Sequence, residues 1–127
     1  MGRIESVRVL LVEDEQDLLS LLVSELEIEG FQVEAFEGAF DAYQAFLQKD
    51  FDVIVSDLRM NNGSGTDLLK KVRADANPQK ASTPFILMSG FSEHEEQEVL
   101  SMGAQKLLHK PFRLGDFIMA IKSVLRA

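Results

Sequence analysis

Val7-Arg8-Val9-Leu10-Leu11-Val12 runs directly into Glu13-Asp14-Glu15, and this junction decides how the chain reads. The first six residues are short, β-branched and nearly all apolar. A strand with one wet face alternates apolar and polar positions, so an uninterrupted run predicts a strand covered on both faces. From Asp17 to Glu29 the period becomes helical, with Leu19, Leu22 and Leu26 on one face beside Leu18. Gly30 then stands where a helix stop belongs.

The same unit recurs along the chain. Phe31 to Phe36 predicts a second strand, followed by Ala39, Tyr43, Phe46 and Leu47 at helical spacing. Asp52-Val53-Ile54-Val55-Ser56 predicts a third strand, and a glycine-rich loop (Asn61-Asn62-Gly63-Ser64-Gly65) leads into a helix from Thr66 to Ala74. Asp75 to Thr83, with Pro78, reads as a loop by composition. Phe85-Ile86-Leu87-Met88 predicts the fourth strand, Glu93 to Met102 a mostly polar helix stopped by Gly103, and Lys106-Leu107-Leu108 a short fifth strand. The last helix runs from Arg113 to Arg126, with Leu114, Phe117, Ile118, Ile121 and Leu125 on one side. Strands alternating with helices imply a parallel sheet with helices on both faces. With right-handed crossovers, the expected architecture is a doubly wound five-stranded α/β sheet of the (βα)5 flavodoxin-like type, strand order 2-1-3-4-5. The whole chain, residues 1–127, reads as one domain.

Composition narrows the classes of function. At 127 residues, 46% hydrophobic and 27% charged, the chain has the balance of an ordinary globular domain. It has no cysteine, which removes thiolate metal sites, disulfides and cysteine nucleophiles together. Its formal charge is −8, from 21 acidic against 13 basic residues. That sign gives no counterion-release affinity for nucleic acid, so no direct nucleic-acid binding is expected. No apolar run approaches the ~20 residues of a membrane span, and the first residues lack the apolar stretch of a signal peptide. A cytoplasmic location is expected.

In sheets of this kind, ligands bind just beyond the carboxyl ends of the strands. Four segments converge there. The first strand ends at Glu13-Asp14-Glu15, the third at Ser56-Asp57, the fourth at Ser89-Gly90, and the fifth is followed by His109-Lys110-Pro111. Close carboxylates repel one another, and a hard divalent cation with oxygen ligands and retained waters, such as magnesium, relieves the repulsion. Taken singly, Asp14 reads equally well as a cap on the first helix, with Asp17 three residues on. Ser89 reads as a turn residue before Gly90, and Lys110 as a solvated lysine. Asp57 is harder to explain as bland structure, because a carboxylate closing an apolar strand requires a partner. Beside a bound cation it can act as a nucleophile toward a phosphoryl group, with Lys110 supplying charge and Ser89 a hydroxyl.

Val12-Glu13-Asp14-Glu15, Val55-Ser56-Asp57-Leu58-Arg59-Met60, Leu87-Met88-Ser89-Gly90 and His109-Lys110-Pro111-Phe112 stand in order, at matching spacings, over nearly the whole chain. This set resembles the receiver domains of bacterial two-component response regulators. The resemblance implies that Asp57 is the phosphoacceptor and a metal ligand, and that Asp14 ligates Mg2+ directly while Glu13 acts through water. It also implies that the main-chain carbonyl of Arg59 completes the protein's share of the coordination. Ser89 would bind the phosphoryl group with Lys110 as its ionic partner. The implied partners are a sensor histidine kinase or phosphotransfer protein upstream and an effector domain or protein downstream. The activity is that of a phosphoacceptor assisting its own phosphorylation and dephosphorylation, not that of an enzyme acting on a separate substrate.

Two positions depart from the family pattern. Asn61 stands where a proline is usual, and Leu107 where an aromatic ring or histidine usually precedes the lysine by three residues. A receiver-like scaffold that binds partners without phosphorylation is the alternative, and Leu107 is the point in its favour. A flavodoxin would need a Ser/Thr/Gly-rich phosphate loop in place of Glu13-Asp14-Glu15. An aspartate-dependent phosphatase would need a second aspartate where Arg59 stands. His94 and His109 read as structural or surface residues.

Leu107 generates a first prediction. A leucine rotating outward would expose less apolar surface than a ring, leaving only ~1 kcal/mol between its two positions. In structures with and without beryllofluoride, Ser89 and the segment from Gly90 to Glu95 should shift while Leu107 stays buried. A Leu107 that flips beside an unmoved loop contradicts this.

Overall fold

The computed structural model describes residues 6–60, 63–90 and 93–125, with the side chains of Glu93 and His94 outside the description. In chain order the elements are β1 (Arg8–Val12), α1 (Gln16–Ile28), β2 (Gln32–Phe36), α2 (Ala39–Gln48), β3 (Val53–Asp57), β4 (Arg59–Met60), β5 (Gly63–Ser64), α3 (Gly65–Arg73), α4 (Pro78–Ala81), β6 (Phe85–Ser89), α5 (Glu93–Ser101), β7 (Lys106–His109) and α6 (Leu114–Val124). The five long strands form one sheet in the order β2-β1-β3-β6-β7, every neighbouring pair parallel. This is the doubly wound order expected from the sequence, with the fourth and fifth long strands now β6 and β7.

The uninterrupted apolar runs have the expected cause. Alternate residues of each strand point to opposite faces, and both faces are covered. Leu10, Val12, Ile54, Phe85 and Leu87 pack with Ala42 and Phe46 of α2, Leu69 and Val72 of α3, and Val99 of α5. Their neighbours Val9, Leu11, Val53, Val55, Ile86 and Met88 face the other way, against Leu22 and Leu26 of α1 and Phe117, Ile118 and Ile121 of α6. Gly30 follows α1 at φ +99°, the left-handed turn its position suggested.

Several local readings change. Leu47, expected on the buried face of α2, is 47% exposed, and Ala42 fills the core position instead. The stretch read as a loop contains the short helix α4. Asn77 caps it by accepting from the Gln79 amide, and Pro78 supplies its first turn, where a missing N–H costs nothing. A two-residue antiparallel pairing, Arg59 with Ser64 and Met60 with Gly63, lies between β3 and α3. The last helix starts one residue later than expected, with Arg113 as its N-cap and Leu125 as its C-cap. Asn61, and Phe91 and Ser92 in the segment expected to carry output, lie outside the described residues, as does Arg126.

The amino end of the sheet is braced by two cations. The Arg73 guanidinium donates to the carbonyls of Ala81 (2.8 Å), Thr83 (2.7 Å) and Gly103 (2.8 and 3.1 Å). Lys80 donates to the carbonyls of Phe46 (2.6 Å) and Lys49 (2.9 Å), closing the end of α2. At the opposite end, Gly65 lets α3 begin directly against β3. A β-carbon there would sit 2.4 Å from the Asp57 carbonyl oxygen and 2.6 Å from a Leu87 methyl.

That approach involves backbone and cannot be relieved by a rotamer change. Gly65→Ala should therefore destabilise the fold by at least ~2 kcal/mol, toward the upper range for overpacking. Urea denaturation checks this, and a loss below ~0.5 kcal/mol would mean that the loop accommodates the methyl.

Candidate functional site

The carboxyl ends of β1, β3, β6 and β7 meet at one pocket. Glu13 follows β1 directly, and its amide donates to the Phe36 carbonyl (3.0 Å), so the backbone there is still held by the sheet. Its side chain is 1% exposed. One carboxylate oxygen accepts from the Glu15 amide (3.0 Å) and the other from Lys110 Nζ (2.9 Å). Asp57, the last residue of β3, is 9% exposed and lies 3.2 Å from Lys110 Nζ. One oxygen from each of Glu13, Asp14 and Asp57 can be chosen so that all three lie within 4.8 Å of one another. The donor set is all oxygen and anionic, the kind that suits a hard divalent cation. The cap of α1 is Glu15, not Asp14, and it makes no side-chain cap hydrogen bond, so helix capping does not account for Asp14.

The electrostatics follow from that crowding. Burial pushes the Asp57 carboxyl above its ordinary value, and the neighbouring Glu13 and Asp14 carboxylates push it further, against the pull of Lys110. Burial alone would lower the Lys110 ammonium. Its hydrogen bond to Glu13 and the charge of Asp57 outweigh that and leave it raised. A single lysine thus serves two carboxylates, and just beyond β7 it is joined to Pro111 by a cis peptide bond.

Ser89, the last residue of β6, is 2% exposed, and its hydroxyl donates to Glu95 Oε1 (3.0 Å) on α5. The other Glu95 oxygen accepts from the Arg59 guanidinium. Arg59 holds the Glu95 carboxyl below its ordinary value, and the Ser89 hydrogen bond adds to this against the opposing effect of burial. Glu95 was not legible as a site residue, since one more glutamate on a polar helix carries no signal. Leu107 is 6% exposed, paired with Leu87 across β6 and β7 and part of the core beside α5. His109 is exposed at the end of β7, while the His94 side chain lies outside the description.

A doubly wound α/β domain with a lysine-bridged acidic pocket at its strand ends has the arrangement of a phosphoacceptor domain. Comparison with known proteins agrees. The response regulator receiver domain model matches residues 9–122. The response regulator SaeR of Staphylococcus aureus is 30% identical over 118 residues, 92% of this chain and 50% of its own length. The chain thus spans about half the length of the curated relatives it matches. The chemotaxis response regulator CheY4 of Vibrio cholerae superposes with a TM-score of 0.86 at 28% identity, covering 94% of this chain and 98% of that one. The HemR receiver domain of Leptospira biflexa gives 0.86 at 28% identity, covering 96% of each. The chain belongs to the response regulator receiver domain family. Receiver domains of this family interact with histidine kinases and effector domains. Among the described residues, no helix is long and apolar enough to cross a membrane.

The raised Asp57 carboxyl has a consequence for stability. A folded-state value above the unfolded one adds stability that is complete below the ordinary value of 3.8 and is lost as pH rises through the folded value. At neutral pH without divalent cation, the ionised Asp57 therefore opposes folding. Asp57→Asn should raise the urea midpoint at pH 7 in EDTA, and the gain should shrink as pH is lowered through the titration of Asp57. A midpoint lowered at pH 7, or a gain that is independent of pH, would contradict the crowding described.

Proposed function

We propose that this chain is a single receiver domain, residues 1–127, that accepts a phosphoryl group on Asp57 and changes conformation to control an output. The observation that carries the reading is the juxtaposition of three mutually close carboxylates with Lys110 Nζ, 3.2 Å from Asp57. Such a set neutralises and positions a phosphoryl group, which is most of what phosphoryl transfer requires. Mg2+ fits the all-oxygen donors: Asp14 and Asp57 would hold it directly and Glu13 through water, with the Arg59 main-chain carbonyl completing the protein's share. When bound it offsets the charge of the carboxylates and of the phosphoryl oxygens.

The chain's own residues do the rest. An Asp57 oxygen attacks phosphorus in line as the bond to the donor's imidazole nitrogen breaks, and the nitrogen leaves with its electron pair. Lys110, already paired with Asp57, shifts to the phosphoryl oxygens, and the Ser89 hydroxyl donates to another of them. The same groups, with water as attacking nucleophile, assist hydrolysis of the acyl phosphate. The donor is a sensor histidine kinase or phosphotransfer protein, and the recipient of the signal is an effector domain or protein. The setting is the cytoplasm, without direct contact to nucleic acid or membrane. The scaffold alternative is disfavoured by the intact pocket, since a partner surface alone has no need of a buried Asp57 paired with a lysine.

Incubation with acetyl phosphate and Mg2+ should add one phosphoryl group to the intact mass, labile to hydroxylamine. Asp57→Asn should abolish it, a loss of at least about a hundredfold in rate. Undiminished phosphorylation of that variant would refute the assignment.

A further inference from the structure

Glu95 reaches two functional residues from a third segment. One of its carboxylate oxygens accepts from the Ser89 hydroxyl at 3.0 Å, and the other from the Arg59 guanidinium. The Glu95 side chain is 13% exposed, whereas that of Arg59 is 64% exposed. The carboxylate is therefore held in place at the head of α5 by a cation reaching in from the surface.

A serine hydroxyl has one proton to donate. While that proton is donated to Glu95 it is not available to a phosphoryl oxygen, so activation through Ser89 must first break this bond. The acceptor is ionised, which makes the bond one of the stronger kinds. Arg59 keeps the carboxylate both charged and aimed. A cleft of about 250 Å³ lies alongside, with Arg59, Ser64, Thr66 and Glu98 on its polar side and Leu58 and Val99 on its apolar side, so a released Glu95 has room to turn while keeping its arginine.

We propose that Glu95 is a latch: a positioning residue that holds the Ser89 hydroxyl in the resting arrangement and sets how much phosphoryl binding must supply to switch the domain. The proposal rests on the phosphoacceptor reading of Asp57. It deepens that reading by naming the contact that opposes activation, and by coupling α5 to both Ser89 and β4, which carries Arg59. A ligand shifts a two-state equilibrium by its differential affinity, so deleting a contact made only in the resting state raises apparent affinity for the activating ligand.

The test uses the full chain with beryllofluoride and Mg2+, followed by backbone amide resonances. Glu95→Ala should tighten beryllofluoride binding about tenfold. In the free protein, it should also move the resonances of Met88 to Gly90 toward their beryllofluoride-bound positions. Glu95→Gln keeps the shape and an acceptor but loses the charge, so an intermediate gain of about threefold is expected even if the alanine variant folds poorly. In a Ser89→Ala background, Glu95→Ala should have no further effect on affinity, because the contact it removes is already gone. A merely structural Glu95 would lower stability without displacing the free-state resonances toward the bound ones. Unchanged affinity in both Glu95 variants, or an equal effect with and without Ser89, overturns the latch while normal phosphorylation of the wild type leaves Asp57 standing. A wild type that binds no beryllofluoride overturns both.

Discussion

Three carboxylates crowd together at the carboxyl end of the sheet, two of them sharing one ammonium, and the rest of the structure is arranged around that imbalance. Glu13 is nearly inaccessible and hydrogen-bonded through both oxygens, so it has little freedom to relieve the crowding. Lys110 divides itself between Glu13 and Asp57. Close like charges in a partly dry site raise the cost of ionisation, and this explains why the Asp57 carboxyl is pushed up even with a lysine beside it. The fold tolerates the imbalance because the opposing core is large: two apolar layers, one on each face of the sheet, are buried by the same strands whose ends carry the charge.

Strand termini and helix starts explain why the charges meet. Parallel pairing puts the carboxyl ends of β1, β3, β6 and β7 on one edge, so residues from four distant segments arrive together without any of them being neighbours in sequence. Gly65 allows α3 to begin against the Asp57 carbonyl, which sets how closely that part of the pocket can pack. The second layer of contacts, Ser89 to Glu95 to Arg59, links the end of β6 to the stretch after β3 through α5 by side chains alone, and such links rearrange at smaller cost than a strand ladder.

Legibility in the sequence followed the length scale of each feature. The five long strands were readable because burial on both faces demands unbroken apolar runs, and the helices because their buried faces repeat. Residues at strand ends are readable as a group once the topology is inferred, and the proximity of Glu13, Asp14, Asp57 and Lys110 follows from it. Features two to four residues long were not. The pairing of β4 with β5 is too short to have a period, and the Asn77-Pro78 signature of α4 also signals a loop. Leu47 shows a related difficulty: turning a helix by roughly half a residue exchanges Leu47 for Ala42 in the core with little change in pattern. Glu95 was hidden for another reason, because its role comes from where a rotamer ends and not from what surrounds it in sequence.

The Arg73 brace also acts at a distance. Gly103 closes the carboxyl-terminal end of α5, and its carbonyl takes two hydrogen bonds from the Arg73 guanidinium. The amino-terminal end of the same helix carries Glu95. At 1.5 Å per residue, the nine residues of α5 make an arm of about 13 Å. The arm is fixed at its foot through a main-chain acceptor and held near its tip by side-chain bonds alone. A rotation about the foot would be felt most at the tip, so the geometry puts the greatest leverage at the end nearest the chemistry.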